Sequence, residues 1–305
     1  MQNSPRFDAL LPPEMAVRAE ETGVNKASLD WPTMAALAVL AGAFISLGAV
    51  FATTVTAGSA GVLPYGVARL LAGLVFSLGL ILVVVGGAEL FTGNTLMVMA
   101  WAGRRITLRR VLHNWAIVFA GNFAGALATA AVVFVSQQHA FGGGAVGAAA
   151  LAVAQSKVGF GFVQAVALGM LCNVLVCLAV WLTLSARTTT DRILAVVFPI
   201  SAFVAAGFEH SVANMYFVPI GLLIKDFAAP EFWAAIARTP EQYATLTWWA
   251  FLSRNLLPVT IGNVFGGGVM VGAAYWFVYL RPHPLVQPPV HPMEEELKRR
   301  FRLKF

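Results

Sequence analysis

Residues 205–217 read AAGFEHSVANMYF and set an acid beside a base inside apolar sequence. Glu209 and His210 are flanked by RILAVVFPISAFV on one side and VPIGLLI on the other. Ionisable groups in such surroundings are costly unless they find partners. A carboxylate and an imidazole here could serve acid–base catalysis, ligate a metal or haem, or handle an ion or proton in transit. Haem needs axial ligands on facing helices. His113 sits near a span boundary, and His139, His283 and His291 fall in loops or the tail, so His210 has no evident mate. Cys172 and Cys177, five apart on one apolar stretch, point in different directions and lack further ligand residues, which argues against a disulfide or metal site. No Gly-rich phosphate loop is present, and no interleaving of basic and aromatic residues suggests nucleic acid. The expectation is a protein without metal or cofactor that is not an enzyme.

The elements that must position Glu209 and His210 are membrane helices. Of 305 residues, 59% are hydrophobic and 11% charged, whereas soluble domains carry about 25% charged residues. Apolar runs of about 20 residues or more, enough to span, occur near 33–56, 66–100, 112–136, 160–186, 192–224 and 248–280. The second and fifth are too long for one crossing and contain polar, glycine-bearing interruptions, which predicts broken helices lining a cavity. Fifteen of the 20 basic residues fall in the two tails and in the connections after the second and fourth runs; AGSAGVLPYG and QQHAFGGGAVG carry none. The positive-inside rule then makes both termini cytoplasmic, as an even number of spans requires. The start is no signal peptide, lacking a basic segment followed by an apolar run. Residues 1–30 read as a cytoplasmic amphipathic segment, with a helix opened by Pro12 and Pro13 and given early acid by Glu14. Residues 31–281 form the six-span domain, expected in the inner (cytoplasmic) membrane. Residues 282–305 form a basic cytoplasmic tail, read as solvated and orienting rather than as a helix on anionic lipid.

An internal repeat relates the two interruptions. GAELFTGN (87–94) and GFEHSVAN (207–214) share G-x-E-x-x-x-x-N at an offset of 120. In the following spans, NWAIVFAGNFAG (114–125) and NLLPVTIGNVFG (255–266) share N-x6-G-N-x-x-G at an offset of 141. About twenty extra residues therefore fit in KDFAAPEFWAAIARTPEQYATLT. Three spans per half is odd, so the halves enter the membrane from opposite sides, an inverted repeat whose site lies near the midplane. The fold class is an all-α membrane protein of six spans in two inverted three-helix repeats. Gly121/Gly125 and Gly262/Gly266 read as close-packing pairs. Glu89, Glu209, Asn94 and Asn214 hold equivalent positions and read as structural groups at the helix breaks. The half-helix N-termini are expected to offer free N–H groups to an anion. His210 has only Leu90 opposite it, which marks it as the residue added for function.

GAELFTGNTLMVMAWAGRRI, KVGFGFVQAVALGMLCNVLVCLAVWLT, GFEHSVANMYFVPIGLL and NLLPVTIGNVFGGGVMVGAAYWFVYL together resemble the formate/nitrite transporter family, over nearly the whole chain. The resemblance implies an aquaporin-like fold, a homopentamer in the lipid bilayer, and one pore per protomer for small monovalent anions or their conjugate acids. It carries the central pore histidine onto His210, its threonine partner onto Thr92, a pore asparagine onto Asn173 and a lysine onto Lys157. It implies an outer constriction of Phe76, Leu80 and Phe203, and an inner one of Leu90, Val176 and Phe91.

Physically, neutral His210 can donate one hydrogen bond to an anion, as proton relay or as fixed anchor. Lys157, at the extracytoplasmic end of the fourth span, would concentrate anions at the entry. Asn173 offers a donor and an acceptor to substrate. A dry Phe and Leu ring stops a hydrated ion but passes a neutral acid, so the anion is expected to be protonated between the constrictions. Formate is the expected substrate, with nitrite or hydrosulfide as alternatives on the same fold. A neutral-solute aquaporin-type channel is the rival class, but its paired Asn-Pro-Ala breaks are absent.

Overall fold

The computed structural model describes residues 9–281 and is helical, with no strand among the described residues. The expected basic tail, 282–305, and the first eight residues of the N-terminal segment lie outside the described residues. α1 (Pro12–Ser28) starts on its prolines, with the Glu14 carboxylate accepting the Leu11 N–H at 2.9 Å. A proline in the first turn forfeits no intrahelical bond. The buried face of α1, with Met15, Ala16 and Ala19, packs on Met99 and Trp181.

The first half continues with α2 (Trp31–Thr56), α3 (Tyr65–Gly86), α4 (Phe91–Asn94), a 3-10 turn (Thr95–Met97), α5 (Val98–Ala102) and α6 (Leu108–Val135). The second holds α7 (Ala145–Val158), α8 (Phe162–Ser185), α9 (Thr189–Ala206) and α10 (Ser211–Phe227). α11 (Pro230–Ala235) and a 3-10 turn (Pro240–Tyr243) occupy the predicted insertion. The last span then runs through α12 (Trp248–Ala250), α13 (Leu257–Val264) and α14 (Ala274–Tyr279), joined by π-helical segments Phe251–Leu256 and Phe265–Ala273. Among the described residues, six helical runs are long and apolar enough to cross a membrane: α2, α3, α6, α8, α9 and Pro240–Tyr279. They fall on the six predicted runs, but the second and fifth end as spans at Gly86 and Ala206, short of the predicted 100 and 224, and the last starts at Pro240 rather than 248. α7 had no counterpart in that reading, which left 145–158 unassigned.

Both predicted breaks are present. α3 ends at Gly87 (φ 79°) and α9 at Gly207 (φ 77°), left-handed positions where a side chain would be strained. The chain then crosses three residues and restarts as α4 or α10. The glycine pairs pack as expected. A Cβ on Gly125 would lie 2.0 Å from the Val39 carbonyl oxygen, and one on Gly266 2.2 Å from that of Met170. Thus α6 lies on α2, and the last span lies on α8, at backbone contact. The halves meet along α3 and α9, where a Cβ on Gly73 would lie 2.6 Å from the Ser201 oxygen and Ser77 Oγ donates to the Val197 carbonyl at 3.3 Å.

Candidate functional site at the meeting of two helix breaks

Each break exposes backbone groups that no water can satisfy at membrane depth. The same side chains satisfy them in both halves. The Phe91 N–H donates to Asn122 Oδ1 at 2.9 Å, and the Ser211 N–H donates to Asn263 Oδ1 at 2.9 Å. Asn122 Nδ2 donates to the carbonyls of Ala38 (2.7 Å) and Glu89 (2.9 Å); Asn263 Nδ2 donates to those of Gly169 (2.8 Å) and Glu209 (3.0 Å). The acids sit in matching cradles. Glu89 Oε2 accepts from Asn94 at 2.7 Å and Glu209 Oε2 from Asn214 at 2.7 Å, while Asn94 and Asn214 also donate to Asn114 and Asn255, each at 2.8 Å. A lysine closes each set: Lys26 to Glu89 at 2.5 Å and Lys157 to Glu209 at 2.9 Å. The expectation of free N–H groups at the half-helix starts is corrected for the first N–H of each. The first N–H of each is taken by an asparagine, because a permanent partner is less costly than a vacancy when substrate is absent.

Against this shared frame the site residues stand out. His210 is the N-cap of α10, and its Nδ1 accepts the Ala213 N–H at 3.0 Å. That bond leaves the proton of the neutral ring on Nε2, which lies 3.0 Å from Thr92 Oγ1. His210 and Thr92 thus join the two breaks side to side. Asn173 Nδ2 donates to the carbonyls of Asn263 (2.6 Å) and Thr92 (3.2 Å) and to Thr95 Oγ1 (3.1 Å). Its amide nitrogen therefore braces the break, while its buried Oδ1 has no partner among the described residues.

The bonds at Ala38 and Gly169, like the paired lysines, set α1–α2 against α7–α8 at an offset of 131. This register places Gly42 opposite Asn173. The 120 register places Val212 opposite Thr92 and Leu90 opposite His210. Every member of the polar trio faces an apolar or side-chain-free counterpart. The helix facing Asn173 has adapted. A Cβ on Gly42 would lie 2.1 Å from the Asn122 oxygen, so straight α6 leaves no room there. The last span instead widens into a π segment from Phe265, and its Gly267 admits the trio's support: a Cβ there would lie 2.1 Å from Thr95 Oγ1 and 2.3 Å from Asn173 Nδ2. Its counterpart in α6 is Ala126.

A cavity of about 490 Å³ leads from the face carrying 57–64 down to His210. Phe76, Phe203, Phe217, Lys157 and Glu209 line it. Phe203 stacks on His210 (5.9 Å between ring centres) and meets Phe76 edge-on (5.7 Å). Leu80, Leu90 and Val176 are buried. Phe91 turns toward α6, edge-on to Phe119 at 5.0 Å and to Trp115 at 6.1 Å. The placement of Lys157 at the end of the fourth span is corrected: it belongs to α7, buried, ion-paired, and 5.2 Å over the Phe217 ring. Arg69 also lines this cavity and escaped the sequence reading. The available signal was that it is the one charged residue within α3.

Comparison with known proteins decides the family. The family model described as formate/nitrite transporter matches residues 13–277. The chain belongs to the formate/nitrite transporter family. Within this family it is 48% identical to the formate channel FocA of Escherichia coli (strain K12), across 90% of this chain and 96% of that one. It is 44% identical to the formate channel FocA of Haemophilus influenzae, across 87% and 93%. A solved formate/nitrite transporter relative, a pentameric formate channel with formate bound, superposes with a TM-score of 0.79 at 45% identity, covering 82% of this chain and 98% of that one.

Proposed function

We propose that this protein conducts formate, passively or with a proton, through a pore in each protomer of a homopentamer in the cytoplasmic membrane. Support for formate and for five copies comes from the named channel relatives and the formate-bound pentamer. The α1 face is cytoplasmic and the 57–64 face is outer, a direction supported by the basic residues gathered around α1, 103–110 and 187–192. Residues 31–281 are the channel, and residues 1–30 and 282–305 are its cytoplasmic ends.

The observation that carries this reading is the His210 Nε2–Thr92 Oγ1 pair, 3.0 Å apart at the floor of the outer cavity. It gives an arriving carboxylate a hydrogen-bond donor in a place lined by Phe76 and Phe203, where a bare ion would otherwise be stranded. Asn173 Oδ1, unpartnered, supplies an acceptor for the O–H of the protonated acid. Formate enters, takes a proton between the Phe76–Leu80–Phe203 and Leu90–Phe91–Val176 constrictions from the His210–Thr92 pair, which regains one from solvent through the cavity, and leaves as the neutral acid or by reversal.

A second reading keeps His210 as a fixed neutral donor. The Ala213 N–H on Nδ1 favours it, because a proton added at Nδ1 would break the cap of α10. Formate flux in proteoliposomes as a function of pH decides between them. Flux that rises as pH falls and collapses in His210→Ala supports the relay. Proton-independent flux that still needs His210 supports the anchor. Flux that survives His210→Ala unchanged sinks both.

A further inference from the structure

The outer cavity needs a positive charge if it is to gather anions, and the two cations that line it are not equivalent. Lys157 is matched by Glu209 at 2.9 Å, and both are buried. From the cavity the pair is close to neutral, so Lys157 acts as counter-charge to the acid that holds the break. Arg69 has no carboxylate partner among the described residues. Its guanidinium donates to the carbonyls of Val204 and Ala205, the latter at 3.5 Å. Those are neutral groups, so the full charge of Arg69 remains in the cavity. They are also among the last carbonyls of α9, the negative end of that helix, which would repel an arriving anion if left bare.

We infer that Arg69 is the specificity-determining cation of the outer vestibule: it masks the carboxyl end of α9 and draws small carboxylates toward His210. The inference rests on the anion-channel reading above. It also makes the two mouths unlike, since the 120 register puts Thr189 where an inner counterpart of Arg69 would stand. Lys26, the inner counterpart of Lys157 in the 131 register, is paired with Glu89 as Lys157 is with Glu209.

The test reads the vestibule's charge without relying on transport. Ser156 lines the same cavity and is exposed, while Cys172 and Cys177 are buried. In a Ser156→Cys protein, the rates of modification by an anionic and a cationic methanethiosulfonate reagent are measured and their ratio taken. Adding Arg69→Gln should slow the anionic reagent and speed the cationic one, each by about two- to fivefold. The anionic-to-cationic ratio then falls by roughly four- to twenty-five-fold. Arg69→Lys should keep the ratio near its starting value, and high salt should close the gap between variants. An unchanged ratio in Arg69→Gln overturns the inference. An equal fall in Arg69→Lys also overturns it, by reducing Arg69 to a helix cap. Should Arg69→Gln fail to fold, the single Ser156→Cys protein decides: an anionic preference that vanishes at high salt supports the charge, and a salt-independent ratio sinks it. Formate flux on the same proteins separates this from the functional reading, because a falling ratio without any formate flux keeps Arg69 and removes formate. With flux present, Arg69→Gln should raise KM for formate about two- to fivefold while Vmax moves less than twofold.

Discussion

The two halves of the channel use the same frame and differ where chemistry is expected. Lys26, Glu89, Asn94, Asn114 and Asn122 brace one break; Lys157, Glu209, Asn214, Asn255 and Asn263 brace the other at nearly equal distances. All of these bonds stay within their own half. At the site, bonds also cross between halves: Thr92 to His210, and Asn173 to Thr92 and Thr95. Symmetry builds the scaffold, and departures from symmetry mark the candidate site.

The comparison breaks most visibly at the acids. Glu209→Ala should cost about 3–5 kcal/mol of stability, since it strands buried Lys157. Glu89→Ala should cost less, because the Lys26 side chain is 24% exposed against 11% for Lys157 and can turn to water. Denaturation of the solubilised protein would measure both, and equal losses would contradict the difference in burial.

Gly267→Ala imports the α6 sequence into the last span. The added methyl meets Thr95 and Asn173, and a loss of about 1–3 kcal/mol is expected with formate flux reduced. If Gly267→Ala is silent, the widened π segment is not what accommodates Asn173.

His210→Leu makes the two breaks alike. Flux should fall about tenfold or more while the fold persists, the loss of one hydrogen bond to a charged substrate being about 1.5–3 kcal/mol. Retained flux would mean that the asymmetry at this position serves something else.

The smallest effect is at the start of α2. Asp30 caps that helix through the Thr33 N–H at 3.2 Å, whereas Gly161 begins α8 with no side-chain cap. The Thr33 hydroxyl and N–H hold the Asp30 carboxyl below its usual 3.8. Its contribution is therefore complete above that ordinary value and is lost as pH falls through the lowered one. Asp30→Gly should lower Tm slightly at pH 7 and match wild type once the carboxyl is protonated. A difference that persists in acid would exclude the charge as its cause.

Much of this was legible in sequence because membrane spans are long and polar interruptions inside them are costly. The breaks at 87–94 and 207–214 came from that contrast; the repeat paired Glu89 with Glu209 and set His210 apart as the candidate site residue. The 131 register did not, because AGAFIS in α2 and CNVLVC in α8 share no motif. Lys26 was therefore missed as the mate of Lys157, and Gly42 as the position facing Asn173. Lys157 was read as an attractor because its partner lies 52 residues away, and such a pairing leaves no trace in spacing. Arg69 was passed over because a basic residue near a span end is ordinary, and its value depends on which carbonyls the fold brings beside it.

The self-contained bracing of each break has a consequence for how the protein is made. Every side chain that the first break requires has been synthesised by residue 122, and the second frame waits only for residue 263. A chain leaving the ribosome can finish one half before the other exists. The hydrogen bonds that tie Thr92 to His210 and Asn173 cannot form until both halves are in the bilayer, so the passage is completed only after each frame exists.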